Sequence, residues 1–244
     1  MTEKQFNKIF NIFILTGMAV VTVLVTAFKF KDAETGRWLL LISAVGSLSG
    51  VLCTVLSANG RILNFLFGFI DVSIYGAMCL VGARYGNAAL HLLYFLPMQV
   101  LGYFQWSKRG ADAGKEVKAR RLEGRQWLLF GTLFLAGLVV AYFVLAAMDK
   151  TEAAGIVKWL VLLDAFSMMC NLIGQYLLST AYMEQWFFWI GVNVTSVLMW
   201  VFTLRTDPSS SFAAIYVVKY SFYFINSLNG LRIWLRLSRG YLSK

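Results

Sequence analysis

Eight windows of 20 to 25 residues, at 9–28, 38–60, 62–83, 85–107, 126–148, 159–183, 185–204 and 208–231, run along the chain almost without charge. Together they hold three formal charges, Asp71, Asp164 and Lys219. A helix of about 20 residues crosses a ~30 Å hydrocarbon core, and it closes its own backbone hydrogen bonds where there is no water to do so. A membrane β-barrel would instead alternate in strands of about ten residues, and these windows do not. The fold class expected is therefore an all-α integral membrane protein with eight transmembrane helices. The 14% content of charged residues supports this, because a soluble domain carries about 25%. The 59% hydrophobic content excludes disorder.

The charges between the windows set the orientation. Lys108, Arg109, Lys115, Lys118, Arg120, Arg121 and Arg125 crowd the loop 108–125, and basic short loops stay cytoplasmic. Lys4, Lys8, Arg61 and the tail residues Arg232, Arg236, Arg239 and Lys244 then share that side, giving 14 basic residues there against 8 elsewhere. Both termini are expected inside. The net charge of +10 becomes a topology signal, so no nucleic-acid partner is expected. The first window is too long for a signal peptide and lacks a small-residue cleavage site before Phe28, so it reads as a retained helix. Cys53, Cys79, Cys170 and His91 all fall inside windows. Their spacing fits neither a disulfide framework nor a metal site, and no cofactor is expected.

Windows two to four and six to eight repeat one another in outline. Phe67 precedes Asp71 as Trp189 precedes Asn193, at an offset of 122 residues, and Gly102 to Trp106 matches Gly230 to Trp234 at an offset of 128. One window separates the two triplets, so both run in the same direction. Parallel repeats of this kind, as in SWEET-type sugar carriers, place the substrate near the midplane between the halves. The expected organisation is an extra N-terminal helix (1–37), a first three-helix bundle (38–107), a basic loop with a linker helix (108–158) and a second three-helix bundle (159–240).

Polar side chains inside the windows are costly unless they face a cavity or a partner. Asp164, Ser167, Asn171 and Gln175 make one helical stripe, and Trp186, Trp189, Asn193 and Ser196 make another. Lys219, Tyr223, Asn226 and Asn229 make a third, while Gln99 with Tyr103 and Asn64 with Asp71 add shorter faces. Turned inward they line a polar cavity with aromatic walls; the plainer alternative is that they glue helices together. Trp rings attract cations and stack on flat heterocycles, so a flat cationic ring with several hydroxyls suits this set. Asp164 and Lys219 lie at similar depth and are expected to form a structural ion pair; the alternative is ion or proton coupling through Asp164 or Asp71. Pro97 is expected to kink the fourth helix near Gln99.

The stretches Asn64-Phe-Leu-Phe-Gly68, Gly102-Tyr-Phe-Gln-Trp106 and Glu184-Gln-Trp-Phe-Phe-Trp-Ile-Gly-Val-Asn193 resemble the PnuC family of vitamin transporters. The last looks like that family's Glu-x-Trp-x-x-Trp-Ile-x-x-Asn signature, with Gln185 where many relatives have Asn. The resemblance covers about residues 38–240 and leaves the first helix as an extension of a seven-helix core. It implies a SWEET-like fold in the bacterial inner membrane and facilitated diffusion of nicotinamide riboside, trapped afterwards by phosphorylation. By position it carries over Trp186, Trp189 and Asn193 as substrate contacts, with Gln99 from the other half. Asn64, Asp71, Gln175 and Tyr223 complete the expected site. The partners are then the small-molecule substrate and the lipid bilayer, and a homo-oligomer is compatible with the sequence. The alternatives are an ion- or proton-coupled carrier of a thiamine- or riboflavin-type vitamin, and behind it a membrane-embedded enzyme. Against an enzyme, the chain lacks His-Glu-x-x-His and Gly-x-Ser-x-Gly.

Overall fold

The computed structural model describes residues 2–31, 37–81, 83, 85–112, 114–148, 156–206 and 211–239. Lys244 of the basic tail and the connections at 149–155 and 207–210 lie outside the described residues. Eight helices follow one another, in the order expected from the charge gaps. Helices one to three span Glu3–Lys31, Arg37–Ala58 and Asn64–Val81. Helix four is assembled from Tyr85–Ala89, a π-helical turn Leu90–Phe95 and Leu96–Lys108. Helices five to eight span Gly124–Met148, Ile156–Ser179, Gln185–Thr206 and Ser211–Leu237. The described residues hold no β-strand, only an isolated bridge between Arg120 and Tyr182.

Six of these helices are long and apolar enough to cross a membrane on length and composition alone. Helices four and eight are the exceptions, for two different reasons. Helix four is interrupted: Pro97 has no N–H to give to the ladder, and just before it the ladder widens so that the Leu96 N–H reaches back to the His91 carbonyl. The expected kink is thus taken up as a π-turn. Helix eight is long enough, at 27 residues, but Lys219, Asn226, Asn229 and Arg232 interrupt its apolar run.

Packing follows the chain order and then crosses it. Helix two packs on helix three, six on seven and seven on eight. Two further contacts join helices two to four with helices six to eight: helix two meets helix eight, and helix four meets helix six. Helix one lies against helices two and eight, where Ile14 and Met18 bury against Val51 and Val55. Helix five rests on helix six through Phe130, Phe134 and Leu138 around Met169, Ile173 and Leu177. Apolar side chains also cover the outside, with Leu128, Val140 and Phe143 each more than half exposed. In lipid such exposure has no hydrophobic cost, so packing and polar contacts hold the helices together.

Candidate functional site

The best-packed end of the bundle carries the loop between helices four and five, and it is built from two turns of one design. After helix two, the Gly60 N–H bonds to the Ser57 carbonyl at 3.0 Å and the Arg61 N–H to that of Leu56 at 2.9 Å. After helix six, the Ala181 N–H bonds to Leu178 at 3.0 Å and the Tyr182 N–H to Leu177 at 2.8 Å. Both are helix C-caps closed by a left-handed residue, Gly60 at φ +64° and Ala181 at φ +62°. These contacts recur at an offset of 121 residues, one fewer than side-chain resemblance predicts for the helices that follow. Phe65 therefore corresponds to Trp186, Gly68 to Trp189, and Val72 (not Asp71) to Asn193.

One loop fastens both turns. The Val117 N–H donates to the Gly60 carbonyl at 3.0 Å, the Arg120 N–H donates to the Ala181 carbonyl at 2.7 Å, and the Met183 N–H returns to the Arg120 carbonyl at 3.0 Å. The Arg120 guanidinium lies 4.3 Å from the centre of the Tyr182 ring, and the Arg121 Nε–H donates to Ser238 Oγ. Glu184 is buried beside this loop. Burial pushes its pKa up, against the N–H groups of Glu184 and Leu122 and the charge of Arg121, which pull it down.

Above the turns, four rings cross the bundle in sequence. Phe65 meets Trp106 edge-on at 4.8 Å, Trp106 meets Trp234 at 5.3 Å, and Trp234 meets Trp186 at 6.3 Å. Each half closes on a bare glycine. A methyl group at Gly102 would overlap the Phe65 ring, and one at Gly230 would overlap the Trp186 ring. Trp106 Nε1–H donates to the Leu178 carbonyl at 2.8 Å, and Trp234 Nε1–H to the Ser57 carbonyl at 2.9 Å. Each of these two bonds passes from one half to the other.

The expected site residues gather on the helices around this aromatic belt. Trp186 is 3% exposed, and its indole N–H has no partner. Trp189 is half-buried, packed against the belt and over Gly174 of helix six. Asn193 donates through Nδ2 to Ser227 Oγ at 2.8 Å, and that hydroxyl donates on to the Tyr223 carbonyl. From the other half, Gln99 is 4% exposed with Oε1 unpartnered. A methyl group at Gly68 would sit 2.5 Å from that oxygen and 3.0 Å from Cys53 Sγ. Gln175 donates to Ser179 Oγ, which donates to the carbonyl of Met98, the neighbour of Gln99. Asn64 is fully buried and donates to the Arg61 carbonyl, leaving its own Oδ1 unpartnered. Buried polar atoms without partners are costly, and those of Asn64, Gln99 and Trp186 lie among these residues.

Asp71 and Tyr223 belong to an adjoining cluster. The Asp71 carboxylate rests on Gly50, where a methyl group would come within 2.7 Å of Oδ2. The charge of Lys219 acts on Asp71, and Cys53 and Tyr223 lie in the same electrostatic neighbourhood. This placement corrects the expected pairing of Lys219 with Asp164. Asp164 is exposed on helix six, whereas helix eight packs on helix two, on whose Gly50 the Asp71 carboxylate rests, and the charge of Lys219 acts on Asp71. Tyr103, placed with Gln99 on one stripe, is 48% exposed; the buried face of helix four is Gln99, Gly102 and Trp106. Sequence reasoning missed Ser179 and Ser227 as supports, since a serine in an apolar helix gives no sign of which neighbour it meets. It noticed Trp106 and Trp234 only as a repeated pattern.

The chain matches the family model described as nicotinamide mononucleotide transporter over residues 40–236. It is 31% identical over 200 residues to the nicotinamide riboside transporter PnuC of Neisseria mucosa, covering 80% of this chain and 72% of that one. It is also 31% identical over 202 residues to the protein of the same name from Haemophilus influenzae, covering 82% and 80%. The Escherichia coli relative of that name is 26% identical over 215 residues, covering 81% of this chain and 86% of its own. A crystal structure of the vitamin B3 transporter PnuC superposes with a TM-score of 0.67 at 28% identity, covering 98% of this chain and 94% of that one. A match of that extent takes in helix one, so helix one is not peculiar to this chain.

Proposed function

This chain belongs to the nicotinamide mononucleotide transporter family, an integral membrane transporter and not an enzyme, and we propose that its substrate is nicotinamide riboside. The observation that carries the substrate is the pairing of Trp186 and Trp189 with unpartnered buried polar atoms on Gln99 and Trp186. The rings suit a pyridinium, and the amides suit a carboxamide and ribose hydroxyls. A mononucleotide would add a phosphate, which calls for Arg or Lys donors. The cation of the interior, Lys219, already acts on Asp71, which favours the phosphate-free nucleoside.

Trp186, Trp189, Asn193 and Gln99 are the proposed contacts, with Asn64 and Gln175 beside them and Asp71 and Tyr223 as the adjoining wall. All eight helices cross the membrane in this reading, with helix one outside a 3+1+3 core of parallel repeats (38–107 and 159–240). The duplicated turns, the mirrored glycines and the crossed tryptophan bonds support the repeat. The basic loop and tail support cytoplasmic termini in a bacterial inner membrane. Transport is facilitated diffusion, one bundle rocking on the other about the site, with cytoplasmic phosphorylation trapping the product.

The test is saturable uptake of labelled nicotinamide riboside into proteoliposomes, with the mononucleotide and thiamine as competitors. Competition by nicotinamide riboside alone is expected; stronger competition by the mononucleotide, or an uptake that needs an imposed proton gradient, would reject the substrate or the passive mechanism respectively.

A further inference from the structure

The belt below the site does more than fill space. Trp106 and Trp234 are fully buried at the centre of the bundle's loop end, in contact with each other at 5.3 Å. Each sends its one hydrogen-bond donor across to the other half, to a carbonyl in the last turn of a helix. These are the points where the halves must part for a path to open toward the loop. The Ser57 and Leu178 carbonyls each already accept a turn N–H at 3.0 Å, from Gly60 and Ala181, so the indole bonds are not needed to satisfy them. A bond that is dispensable for the helix end but links the two moving bodies is placed to govern opening. The loop residues Val117 and Arg120 grip both turns from below, so they close with it.

We propose that Trp106 and Trp234 form the cytoplasmic gate of the transport path, latched by their two crossed indole hydrogen bonds; this rests on the transport reading and orientation given above. The substrate site and the gate then adjoin, because the Trp186 ring meets the Trp234 ring. Substrate leaving toward the cytoplasm must separate the Trp106–Trp234 contact and break both latches.

The test uses Trp106→Phe and Trp234→Phe, singly and together, which keep a ring in the belt and remove only the donor and some bulk. Ala58, fully buried beside the belt at the end of helix two, is changed to Cys in each background as a reporter. A charged maleimide is applied to protein in detergent, with the chain lacking the reporter as the blank for Cys53, Cys79 and Cys170. Losing one neutral hydrogen bond is expected to raise the open fraction, and so the labelling rate, about threefold to tenfold. The double variant is expected to label faster than either single variant, though short of or beyond their product, because the two rings are in contact and their effects couple. Nicotinamide riboside is expected to raise the melting temperature of every variant as it does that of the parent. Variants that melt cooperatively and bind substrate but label at the parental rate overturn the gate. Should the double variant fail to fold, the two single variants decide, since each removes one latch. Absence of any substrate-induced shift in the parent would count against the transport reading, and the labelling rates would still decide whether the belt closes this end.

Discussion

The turn at Gly60 and the turn at Ala181 share their hydrogen bonds, but the helices leaving them do not share their side chains. The first presents Asn64, Phe65, Gly68 and Val72; the second presents Gln185, Trp186, Trp189 and Asn193 at the corresponding places. What is common to both halves closes the bundle: the left-handed caps, the glycines under the rings and the crossed tryptophans. What differs is the side chains: at the corresponding places the second half sets two indoles and an amide where the first sets a phenyl ring, a glycine and a valine. The first half contributes room, because bare Gly68 admits the Gln99 carbonyl oxygen where its counterpart carries an indole. In the proposed reading closure and recognition are therefore separable, and substitutions at corresponding positions test this.

The largest effects are expected from emptying the two ring positions. Phe65 and Trp186 are 2% and 3% exposed, so changing either to Ala costs about 3–5 kcal/mol of stability. Melting curves in detergent should show similar losses for both. Binding should not: only Trp186→Ala is expected to remove the substrate-induced rise in melting temperature. Equal loss of binding in the two variants would show that the halves recognise substrate jointly.

Next come the glycines beneath those rings. A methyl group at Gly102 or Gly230 displaces an aromatic side chain, at a cost of about 1–3 kcal/mol for overpacking. Gly230→Ala pushes on Trp186 and is expected to weaken substrate binding as well, whereas Gly102→Ala pushes on Phe65 and leaves affinity near that of the parent. Titration by tryptophan fluorescence would check this; a binding loss in Gly102→Ala larger than in Gly230→Ala would reverse the assignment of roles.

Much of this division was already visible in the chain. The window 185–204 falls within two residues of helix seven, Gln185–Thr206, because charge marks membrane boundaries more sharply than any propensity. The Trp186, Trp189 and Asn193 stripe was legible because a 3,4 spacing fixes a helix face. The register between halves was not. Side-chain likeness pairs Asp71 with Asn193, but the correspondence resides in the backbone of Gly60 and Ala181, residues of different type. Nor was the partner of Lys219 legible. Depth along a helix can be counted, but which helix stands opposite depends on the crossed packing of two on eight and four on six.

A smaller effect separates the caps themselves. Left-handed backbone costs an L-residue roughly 1 kcal/mol relative to glycine, and Ala181 bears that cost while Gly60 does not. Ala181→Gly is expected to stabilise by up to about 1 kcal/mol. Gly60→Ala should destabilise by somewhat more, since its methyl group would also lie 2.8 Å from Leu237 Cδ1. Opposite shifts in melting temperature are expected, and shifts of the same sign would deny that both turns are held by the same conformation.

The smallest effect belongs to the position just before each belt ring's helix begins. Leu63 is 42% exposed, and its counterpart Glu184 is buried. Burial raises the Glu184 carboxyl above its ordinary value of 4.5, so between that value and its native one the folded protein binds the extra proton. Stability from this group is fully present below the unfolded pKa and is lost as pH rises through the window up to the folded pKa. Glu184→Gln keeps the shape of the protonated acid and cannot ionise. Melting temperatures followed from pH 4 to 8 are therefore expected to fall with pH less steeply in Glu184→Gln than in the parent, the two curves meeting at the acid end. Leu63→Gln, changed at the matching position of the first half, should leave the parent's slope as it is. If Glu184→Gln leaves the slope intact too, the carboxyl is ionised in the folded state at no cost, and the loop from Val117 to Leu122 holds it as a charge.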